Sequence, residues 1–319
     1  MKIRKIIVTG PTGAVGTALI EEAIKRNINV TAVCRRGSLR KQSIPKNALV
    51  SIVECNLDEL LSLKGKISND YDVFYHFGWE GTYGDKRNDL YLQLDNVKYS
   101  LDAVKLASSL NCKCFVGAGS QSEYGHIQGT INPYAPCNPD NGYGIAKLQA
   151  SMMTRILCKK YSIKHIWCRI ISLFGPNDGD YTLISTLIRS FLNKERVKTT
   201  KGDQIWDYIY SKDAANAFLL AAEKGIDGSI YCLGSGESRS LKEYITAVRD
   251  VIDPSLEIGF GEIDYYPNQV MNLQTDISNL QKDTGYRTNY TFEEGIKETV
   301  DAYIRQKKLF NNVCFTVVI

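Results

Sequence analysis

Several features are missing from this sequence of 319 residues, and their absence excludes whole classes of protein. No run of eighteen apolar residues occurs, so no transmembrane helix is predicted. The basic N-terminus is followed by only a short apolar run before the Gly10-Pro11 turn, which does not fit a secretory signal peptide. Charge of one sign is not in excess either, since 39 lysines and arginines face 35 acidic residues and leave a net charge of +4. Neither a membrane nor a nucleic acid is therefore expected as a partner.

The cysteines and histidines show no sign of a metal site. Nine cysteines are present, but they form no C-x-x-C pair and lie mostly in apolar stretches. This pattern favours reduced, buried thiols over a disulfide framework and predicts a cytoplasmic protein. The three histidines, His76, His126 and His165, lie far apart without metal-ligand spacing. We therefore expect no metal, and we interpret His76 as a packing residue at a strand end.

Short β-rich runs alternate with longer helical patterns through the first half of the chain. Each run is almost continuously apolar, which is typical of strands buried on both faces of a parallel sheet. The alternation predicts an α/β fold of the Rossmann type, a doubly wound parallel sheet with helices on both sides. The strands are predicted at 5–10, 28–34, 50–55, 72–78, 112–119 and 164–171, and the helices at 14–27, 88–109 and 143–160.

After residue 176 the pattern loosens, which predicts a smaller C-terminal α/β lobe interleaved with the sheet. The segment 206–225 predicts a strand running into a helix that Ser211 caps and Gly225 ends. The tail at 311–319 is β-prone after a polar stop. Two interpretations of it stay open, an edge strand or a poorly ordered end.

The first predicted strand is followed at once by a glycine motif that opens the first helix. Glycines at this spacing allow a tight turn, a close approach of the backbone to a pyrophosphate, and close packing of helix on strand. The free N–H groups and the positive end of the helix dipole then favour bound phosphate. The motif predicts a nucleotide cofactor held by Gly10, Thr12, Gly13, Ala14, Val15 and Gly16.

The end of the second predicted strand indicates which form of the cofactor to expect. NAD-binding chains carry an acid there for the ribose hydroxyl, whereas this sequence continues from Cys34 with Arg35 and Arg36. Guanidinium groups bind phosphate bidentately and keep their charge at all working pH values. The two arginines therefore predict a preference for NADP(H), with NAD(H) still possible.

A serine, a tyrosine and a lysine form the third pattern. Tyr143 and Lys147 lie four residues apart on a predicted helix and so share one face, and Ser120 ends the preceding strand. A lysine ammonium stabilises phenolate, which lets Tyr143 exchange a proton with a carbinol or carbonyl oxygen that Ser120 holds. These residues predict acid–base chemistry at a single oxygen.

With these motifs in place, the chain resembles an extended short-chain dehydrogenase/reductase of the NAD-dependent epimerase/dehydratase family, which acts on nucleotide-activated sugars. The resemblance runs from residue 3 to about residue 305 and includes His76-Phe77-Gly78-Trp79, Asn96-Val97, the segment 169–176 and the segment 207–213. It implies that Ser120, Tyr143 and Lys147 are catalytic. It further implies cofactor contacts from Asn56, Leu57, Phe77, Gly78, Trp79, Asn96, Tyr143, Lys147 and Ile171, and substrate contacts from Ser122, Ser172 and Trp206.

The same resemblance implies two functional parts and a second copy of the chain. We expect an NADP-binding domain over 1–176 with 204–233 returning to it, a nucleotide-sugar-binding lobe over 177–203 and 234–310, and a tail at 311–319. The helix at 88–109 corresponds to one that often forms a four-helix dimer interface in this family, so a homodimer is expected.

Three departures from the family pattern bear on the reaction. Family 4,6-dehydratases place an Asp-Glu pair directly after the catalytic hydroxyl, whereas this chain has Gln121 and Ser122, neither of which is a carboxylate base. Ser172 stands where relatives often have an asparagine that binds the sugar nucleotide. Trp206 stands where many have an arginine that grips the diphosphate, and it is expected either to stack on the base or sugar or to fill core.

These features favour an NADPH-dependent reductase that delivers hydride to C4 of a nucleotide-activated 4-keto-6-deoxy sugar, with Tyr143 as the proton donor. Such an enzyme would serve deoxysugar or cell-surface polysaccharide biosynthesis. An NAD-dependent nucleotide-sugar 4-epimerase is the first alternative. A non-catalytic NADP-sensing regulator on the same fold is the second, and the joint presence of Ser120, Tyr143 and Lys147 argues against it.

Overall fold

A parallel β-sheet forms the centre of the computed structural model, which describes residues 1–127, 129–267 and 269–313, with side chains as far as residue 305. The strands are β1 (Lys5–Thr9), β2 (Asn29–Cys34), β3 (Val50–Glu54), β4 (Val73–His76), β5 (Cys114–Ser120), β6 (Lys164–Ile170), β7 (Leu173–Phe174), β8 (Val197–Thr199), β9 (Ile205–Trp206), β10 (Ile209–Tyr210), β11 (Ile230–Leu233), β12 (Arg239–Ser240), β13 (Ile258–Phe260) and β14 (Asn272–Leu273).

Eight α-helices are found in the described part of the chain. They are α1 (Ala14–Lys25), α2 (Leu90–Ser109), α3 (Gly142–Lys160), α4 (Leu183–Leu192), α5 (Ser211–Lys224), α6 (Leu241–Ile252), α7 (Ser278–Thr284) and α8 (Phe292–Val313). Polar caps explain several of the starts: Asp89 accepts a hydrogen bond from the backbone of Leu92, and Asn141 accepts one from Gly144. Among the described residues no helix has the length and apolar character needed to cross a membrane.

The main sheet has seven strands in the order β3-β2-β1-β4-β5-β6-β11, and all its neighbours pair in parallel. The first six are the predicted strands, which confirms the doubly wound α/β fold. The strand order reverses between β1 and β4, where Thr9 pairs with His76. Ligands of such sheets bind in the crevice beyond the carboxyl ends of the strands at that reversal, and this places the site.

The chain returns to the sheet late, because β11 pairs with the edge strand β6 through the register Ile230↔Trp167. A second core is formed by residues of α4, α6 and α8 together with the aromatic rings of Phe174, Tyr208 and Phe292. This is the smaller lobe that the looser sequence pattern predicted. Its assignment to the substrate stays a prediction at this point.

Two predictions need revision at the level of single elements. Ser211 does not cap α5: it is the first residue of the helix, and Tyr210 occupies the cap position without a side-chain hydrogen bond. The reason is that Ser211 is buried against Gly175, whose backbone leaves no room for a Cβ beside the serine hydroxyl. In the tail, residues 311–313 close α8 as helix, whereas residues 314–319 lie outside the described residues.

Candidate active site

A cleft of about 380 Å³ opens beyond the carboxyl ends of β1, β2 and β4. Its walls come from the glycine motif, the ends of β2 and β3, the segment after β4, and the loop after β7. They comprise Gly10, Pro11, Thr12, Gly13, Ala14, Val33, Cys34, Arg35, Ser38, Arg40, Cys55, Leu57, Phe77, Gly78, Trp79, Glu80, Thr82, Leu173, Asn177, Asp178, Gly179 and Tyr181. Most of the predicted cofactor residues are among them.

The glycine motif has the geometry that a phosphate site requires. Gly10 has a φ of +69°, and a Cβ there would lie 2.8 Å from the backbone nitrogen of Gly78, so only glycine fits this turn. A Cβ at Gly16 would lie 2.2 Å from the carbonyl oxygen of Gly10, which explains the close approach of α1 to β1. A Cβ at Gly13 would meet only the Gly10 oxygen, at 4.0 Å, so Gly13 borders open space at the start of α1. A nucleotide pyrophosphate fits this helix N-terminus.

Thr9 and His76 fix the floor of the cleft. The Thr9 hydroxyl accepts a hydrogen bond from the backbone of Gly78 at 3.1 Å and is bonded to Nδ1 of His76 at 3.0 Å. The other ring nitrogen of His76 is bonded to the hydroxyl of Ser100 at 3.2 Å. Burial, together with the charge of Lys147, lowers the pKa of His76 to about 3, so the ring stays neutral. His76 is confirmed as a packing residue.

The two predicted cofactor arginines, Arg35 and Arg36, point to different surroundings in the structure. Arg35 lines the cleft, whereas the guanidinium of Arg36 forms an ion pair with Glu59 at 2.5 Å and lies outside the lining residues. A third arginine, Arg40, lines the cleft instead and donates a hydrogen bond to the carbonyl oxygen of Asn177. The arginines after β2 that line the cleft are thus Arg35 and Arg40, not Arg35 and Arg36.

The loop after β7 reaches across the cleft toward the segment after β4. The Tyr83 and Tyr181 rings stack with centroids 3.7 Å apart, and the Thr82 and Tyr181 hydroxyls are bonded at 3.3 Å. Asp178 of the same loop lines the cleft, and burial raises the pKa of its carboxyl to about 6. These contacts between the loop after β7 and the segment after β4 cover one side of the cleft.

Ser120, Tyr143 and Lys147 come together beside this cleft, as predicted. Ser120 is the last residue of β5, and Tyr143, in the first turn of α3, lies close enough for the serine hydroxyl to act on the pKa of the phenol. The Lys147 ammonium is buried, donates to the carbonyl oxygen of Ala118 at 2.7 Å, and lies 3.7 Å from the centroid of the Trp79 ring. Burial lowers the pKa of Lys147 to about 7, an effect that Glu123 opposes.

The sequence predicts that Lys147 is the cation beside the Tyr143 phenol, and the structure differs from this prediction. Lys147 Nζ lies 5.8 Å from the ring centroid, whereas the guanidinium carbon of Arg87 lies 4.7 Å from it. Burial raises the pKa of Tyr143 to about 12, and the hydrogen bond with Ser120 and the charge of Arg87 act against this rise. Arg87 is therefore the closer of the two cations to the phenol ring.

The predicted substrate residues fall into two groups. The Ser122 hydroxyl accepts a hydrogen bond from Arg87 at 2.8 Å, on the same side of the site as Tyr143. Ser172 and Trp206 are bonded to each other, with the indole nitrogen donating to the serine hydroxyl at 3.0 Å. The structure therefore brings Ser122 to the triad, while Ser172, which follows β6, and Trp206 of β9 form a separate pair.

Several predicted cofactor residues support the cleft without lining it. Asn96 donates to the carbonyl oxygen of Glu80 and accepts from the Glu80 backbone nitrogen, both at 2.9 Å, and so fixes a cleft segment. The Asn56 side chain accepts from the backbone of Arg36 at 3.2 Å. Ile171 and Val15 are buried in core clusters, and Gly16 packs on the strand.

Three site residues were missed from the sequence: Arg40, Arg87 and Glu123. Arg40 and Arg87 lie in segments that follow the carboxyl ends of β2 and β4, and ligands of parallel sheets contact such segments. That rule could have nominated both. Glu123 stands three residues after Ser120, the spacing of a capping box, and that spacing could have nominated it. Its other partners, Trp167 and Arg169, are 44 and 46 residues away in sequence and gave no such signal.

Comparison with known proteins gives related enzymes over most of the chain. Residues 6–234 match the family described as NAD dependent epimerase/dehydratase. The CDP-abequose synthase of Salmonella typhimurium is 27% identical over 306 residues, covering 92% of this chain and 96% of that protein.

Solved structures with less than 25% sequence identity share the fold of this chain. The UDP-N-acetylglucosamine 4-epimerase from Methanobrevibacter ruminantium M1, in complex with UDP-N-acetylmuramic acid, superimposes with a TM-score of 0.86 at 22% identity, covering 96% of this chain and 100% of that one. The UDP-glucuronic acid 4-epimerase from Bacillus cereus, in complex with NAD, gives a TM-score of 0.81 at 21% identity, covering 95% and 99% of the chains.

The family match spans more than half of the chain and includes the glycine motif, the Ser-Tyr-Lys triad and the segments on which the sequence resemblance rested. The matched proteins are enzymes, so the non-catalytic regulator loses its support. The chain belongs to the NAD-dependent epimerase/dehydratase family of extended short-chain dehydrogenases/reductases and is an NAD(P)-dependent enzyme of nucleotide-sugar metabolism.

Proposed function

We propose that this protein is an NADPH-dependent reductase that converts a nucleotide-activated 4-keto-6-deoxy sugar to the corresponding C4 alcohol. The observation that carries the reductive direction is the pair of arginines, Arg35 and Arg40, that line the ribose end of the cleft. Reductive biosynthesis commonly uses NADPH, which differs from NADH by a 2′-phosphate on the ribose. Two guanidinium groups at this end of the cleft are suited to bind that phosphate.

The cofactor proposal rests on the fit of the cleft. Gly13 borders open space at the N-terminus of α1, and no side chain of the described residues caps that helix by a hydrogen bond, so its N–H groups are available for a pyrophosphate. Ser38 lines the cleft between the two arginines in sequence and adds a hydroxyl to the ribose end. When bound, NADP(H) would supply or accept the hydride.

The proton chemistry is assigned to Ser120, Tyr143 and Lys147. The Ser120 hydroxyl orients the carbonyl oxygen of the substrate, and Tyr143 donates the proton as that oxygen becomes an alcohol. Lys147 is held against Ala118 and Trp79, facing the cleft wall where a nicotinamide ribose would lie. Reduction requires no further acid or base.

Among the described residues 121–123, directly after Ser120, no carboxylate is free, and this supports reduction over dehydration. Gln121 and Ser122 cannot abstract a proton near neutral pH, because neither an amide nor a hydroxyl is basic there. The next residue, Glu123, is an acid, but its carboxylate accepts hydrogen bonds from the Ser120 backbone, Trp167 and Arg169. A carboxylate held by three donors and fully buried is a structural group.

The substrate is proposed to enter between Ser122 and the second lobe, where the hydrogen-bonded pair of Ser172 and Trp206 would contact it. Similarity to the CDP-abequose synthase makes a CDP-linked sugar the first to test, followed by dTDP- and UDP-linked sugars.

We also infer a homodimer and a reducing, cytoplasmic location. Helices α2 and α3 leave a row of large apolar side chains exposed, which suits burial against a second copy: Leu90, Tyr91, Leu94, Ile145, Met152 and Ile156. The eight cysteines in the described part of the chain are free thiols, in keeping with a reducing compartment. Sedimentation of the purified protein tests the dimer.

The proposed activity is tested by supplying each nucleotide-linked 4-keto-6-deoxyglucose with NADPH or NADH. We expect loss of NADPH absorbance with one cofactor consumed per sugar and a product with a C4 hydroxyl. Interconversion of two saturated nucleotide sugars without net consumption of NADPH would instead assign the protein as a 4-epimerase. Tightly held NAD recovered from the purified protein would point the same way.

A further inference from the structure

Arg87 is placed on the catalytic tyrosine in a way that the family pattern did not predict. Its guanidinium carbon lies 4.7 Å from the centroid of the Tyr143 ring, within the range of a cation–π contact. Its two terminal nitrogens are anchored, one on the hydroxyl of Ser122 at 2.8 Å and one on the carbonyl oxygen of Thr82 at 3.3 Å. The guanidinium is thus held over the ring from two sides.

The segment that carries Arg87 is itself fixed to the catalytic helix. Asn88 accepts a hydrogen bond from the backbone of Gly142, the first residue of α3, at 2.9 Å. Gln93 of α2 donates to the carbonyl oxygens of Gly81 and Lys86, both at 2.9 Å. Arg87 lies on a short 3₁₀ turn, Gly84–Asn88, that is hydrogen-bonded at both ends. Its side chain is therefore held beside Tyr143 before the reaction, so little conformational entropy is lost in placing it there.

A cation at this position acts on one protonation state of the tyrosine more than on the other. The face of a neutral phenol attracts a cation weakly through its quadrupole, whereas phenolate attracts it through a full negative charge. A guanidinium also keeps its charge at every working pH, while the buried ammonium of Lys147 does not. The contact therefore favours the state that Tyr143 reaches when it has given up its proton.

We propose that Arg87 acts through Tyr143, as a permanent cation on the ring face that stabilises the phenolate formed when the tyrosine donates its proton. Arg87 is a positioning residue in this role, because the reacting oxygen is held by Ser120 and Tyr143 and not by the guanidinium. The assignment of Tyr143 as proton donor rests on the proposed reductase function, whereas the effect of Arg87 on the phenol does not.

Other groups face the same phenol from every packed element. Ser120 at the end of β5 and Arg87 favour phenolate, whereas Glu123 and Tyr181 disfavour it. Lys147 lies on the same helix, one turn away, with its ammonium turned to the carbonyl oxygen of Ala118. Removing Arg87 takes away the cation at this ring face and leaves the remaining groups in place.

The experiment measures the phenol directly. Tyrosines are labelled with ¹³C at Cζ, the Tyr143 resonance is identified by its loss in Tyr143→Phe, and its shift is followed as the free protein is taken from neutral to alkaline pH. In Arg87→Gln the Tyr143 titration should begin higher by about one pH unit or more. Arg87→Lys, which keeps the charge but not the planar fork, should restore part of the difference.

The matched control is Lys86→Gln, which removes one positive charge from an exposed side chain on the same 3₁₀ turn. It should titrate as the unmodified protein does. Identical titration of Tyr143 in Arg87→Gln and the unmodified protein would overturn the proposal, and so would an equal shift in Lys86→Gln.

The kinetic consequence is measured on the sugar substrate. In Arg87→Gln the alkaline limb of the kcat/KM profile should move to higher pH and kcat should fall, with Arg87→Lys recovering part of kcat. A protein that reduces no sugar nucleotide would refute the proposed function, and the ¹³C titration would still decide the role of Arg87. Unchanged pH profiles in an active enzyme would refute the inference alone.

Discussion

The buried carboxylate of Glu123 holds Ser120 in place. Its Oε1 accepts a hydrogen bond from the Ser120 backbone nitrogen at 2.8 Å, and its Oε2 accepts one from Nε of Arg169 at 2.6 Å. The Ser120 hydroxyl in turn accepts a hydrogen bond from the backbone of Ser122 at 3.2 Å. The direction of the Ser120 hydroxyl thus depends on an ion pair between Glu123, in the turn after β5, and Arg169 of β6.

Glu123→Gln should therefore unfold more easily than the unmodified protein. Removing one charge of a buried pair leaves the Arg169 guanidinium uncompensated, which costs about 3–5 kcal/mol. Urea denaturation measures the difference. The control is Glu22→Gln on α1, where the carboxylate pairs with Lys25 and Arg26 at the surface and its loss should cost less than about 1 kcal/mol. Equal effects of the two substitutions would contradict the structural role of Glu123.

Substitution of the three arginines near the ribose end should separate their roles. Arg35→Ala and Arg40→Ala should each weaken NADPH binding by about 10- to 100-fold, the value of a charge-assisted hydrogen bond to phosphate, while NADH binding is unchanged. Arg36→Ala is the matched control, because its side chain pairs with Glu59 and not with the cleft. Calorimetric titration with both cofactors measures this. Loss of the NADPH preference in Arg36→Ala alone would show that the arginines have been assigned the wrong way round.

Tyr143→Phe removes only the hydroxyl that we propose as the proton donor and should leave the cofactor site intact. Turnover should fall by about 10²- to 10⁴-fold, the usual contribution of a general acid, while NADPH binds as before. Steady-state rates and a cofactor titration on the same preparation provide both values. Tyr134→Phe serves as control, since Tyr134 is exposed at the surface and its hydroxyl contacts Asn279. Full activity of Tyr143→Phe would rule out the assigned proton donor.

Lys147 should make the stability of the protein depend on pH. Burial lowers its pKa to about 7 from the ordinary lysine value of 10.5. Between these two pH values the side chain holds a proton in the unfolded chain but not in the folded one. The contribution of Lys147 to the free energy of unfolding therefore increases by about 1.4 kcal/mol for each unit by which the pH rises.

Lys147→Met lacks this contribution. The free energy of unfolding of the unmodified protein, minus that of Lys147→Met, should therefore rise from about pH 7 to about pH 10. Urea denaturation at several pH values in that window measures the difference, in which the other titrating groups cancel. A difference that stays constant across the window would mean that Lys147 keeps its proton in the folded protein.

The sheet and its glycine motif could be predicted from the sequence because their signals are local. Continuous apolar runs marked β1 to β6, and the glycines at 10, 13 and 16 fixed the position of the first turn. The triad could be predicted for the same reason, since Tyr143 and Lys147 are one helical turn apart and Ser120 ends its strand. Each of these features is predicted from residues that are close together in the sequence.

The remaining site residues depend on contacts between distant segments. Arg36 and Arg40 both follow β2, and the sequence does not show which of them faces the cleft. Their partners decide it, because Arg36 pairs with Glu59 and Arg40 donates to the carbonyl oxygen of Asn177. Arg87 reaches Tyr143 because α2 and α3 pack together and bring its turn to the start of α3. Spacing along the sequence carries no information on such contacts.

Isotope transfer measures directly whether hydride is delivered to C4 of a nucleotide-activated keto sugar. The enzyme is supplied with NADPH deuterated at the transferable position and a CDP-, dTDP- or UDP-linked 4-keto-6-deoxyglucose, and the isolated product is analysed by mass spectrometry and NMR. We expect one deuterium per product molecule, at C4, with an equal amount of NADP⁺ formed. A product that carries no deuterium, or saturated nucleotide sugars that interchange at C4 without NADP⁺ formation, would contradict it.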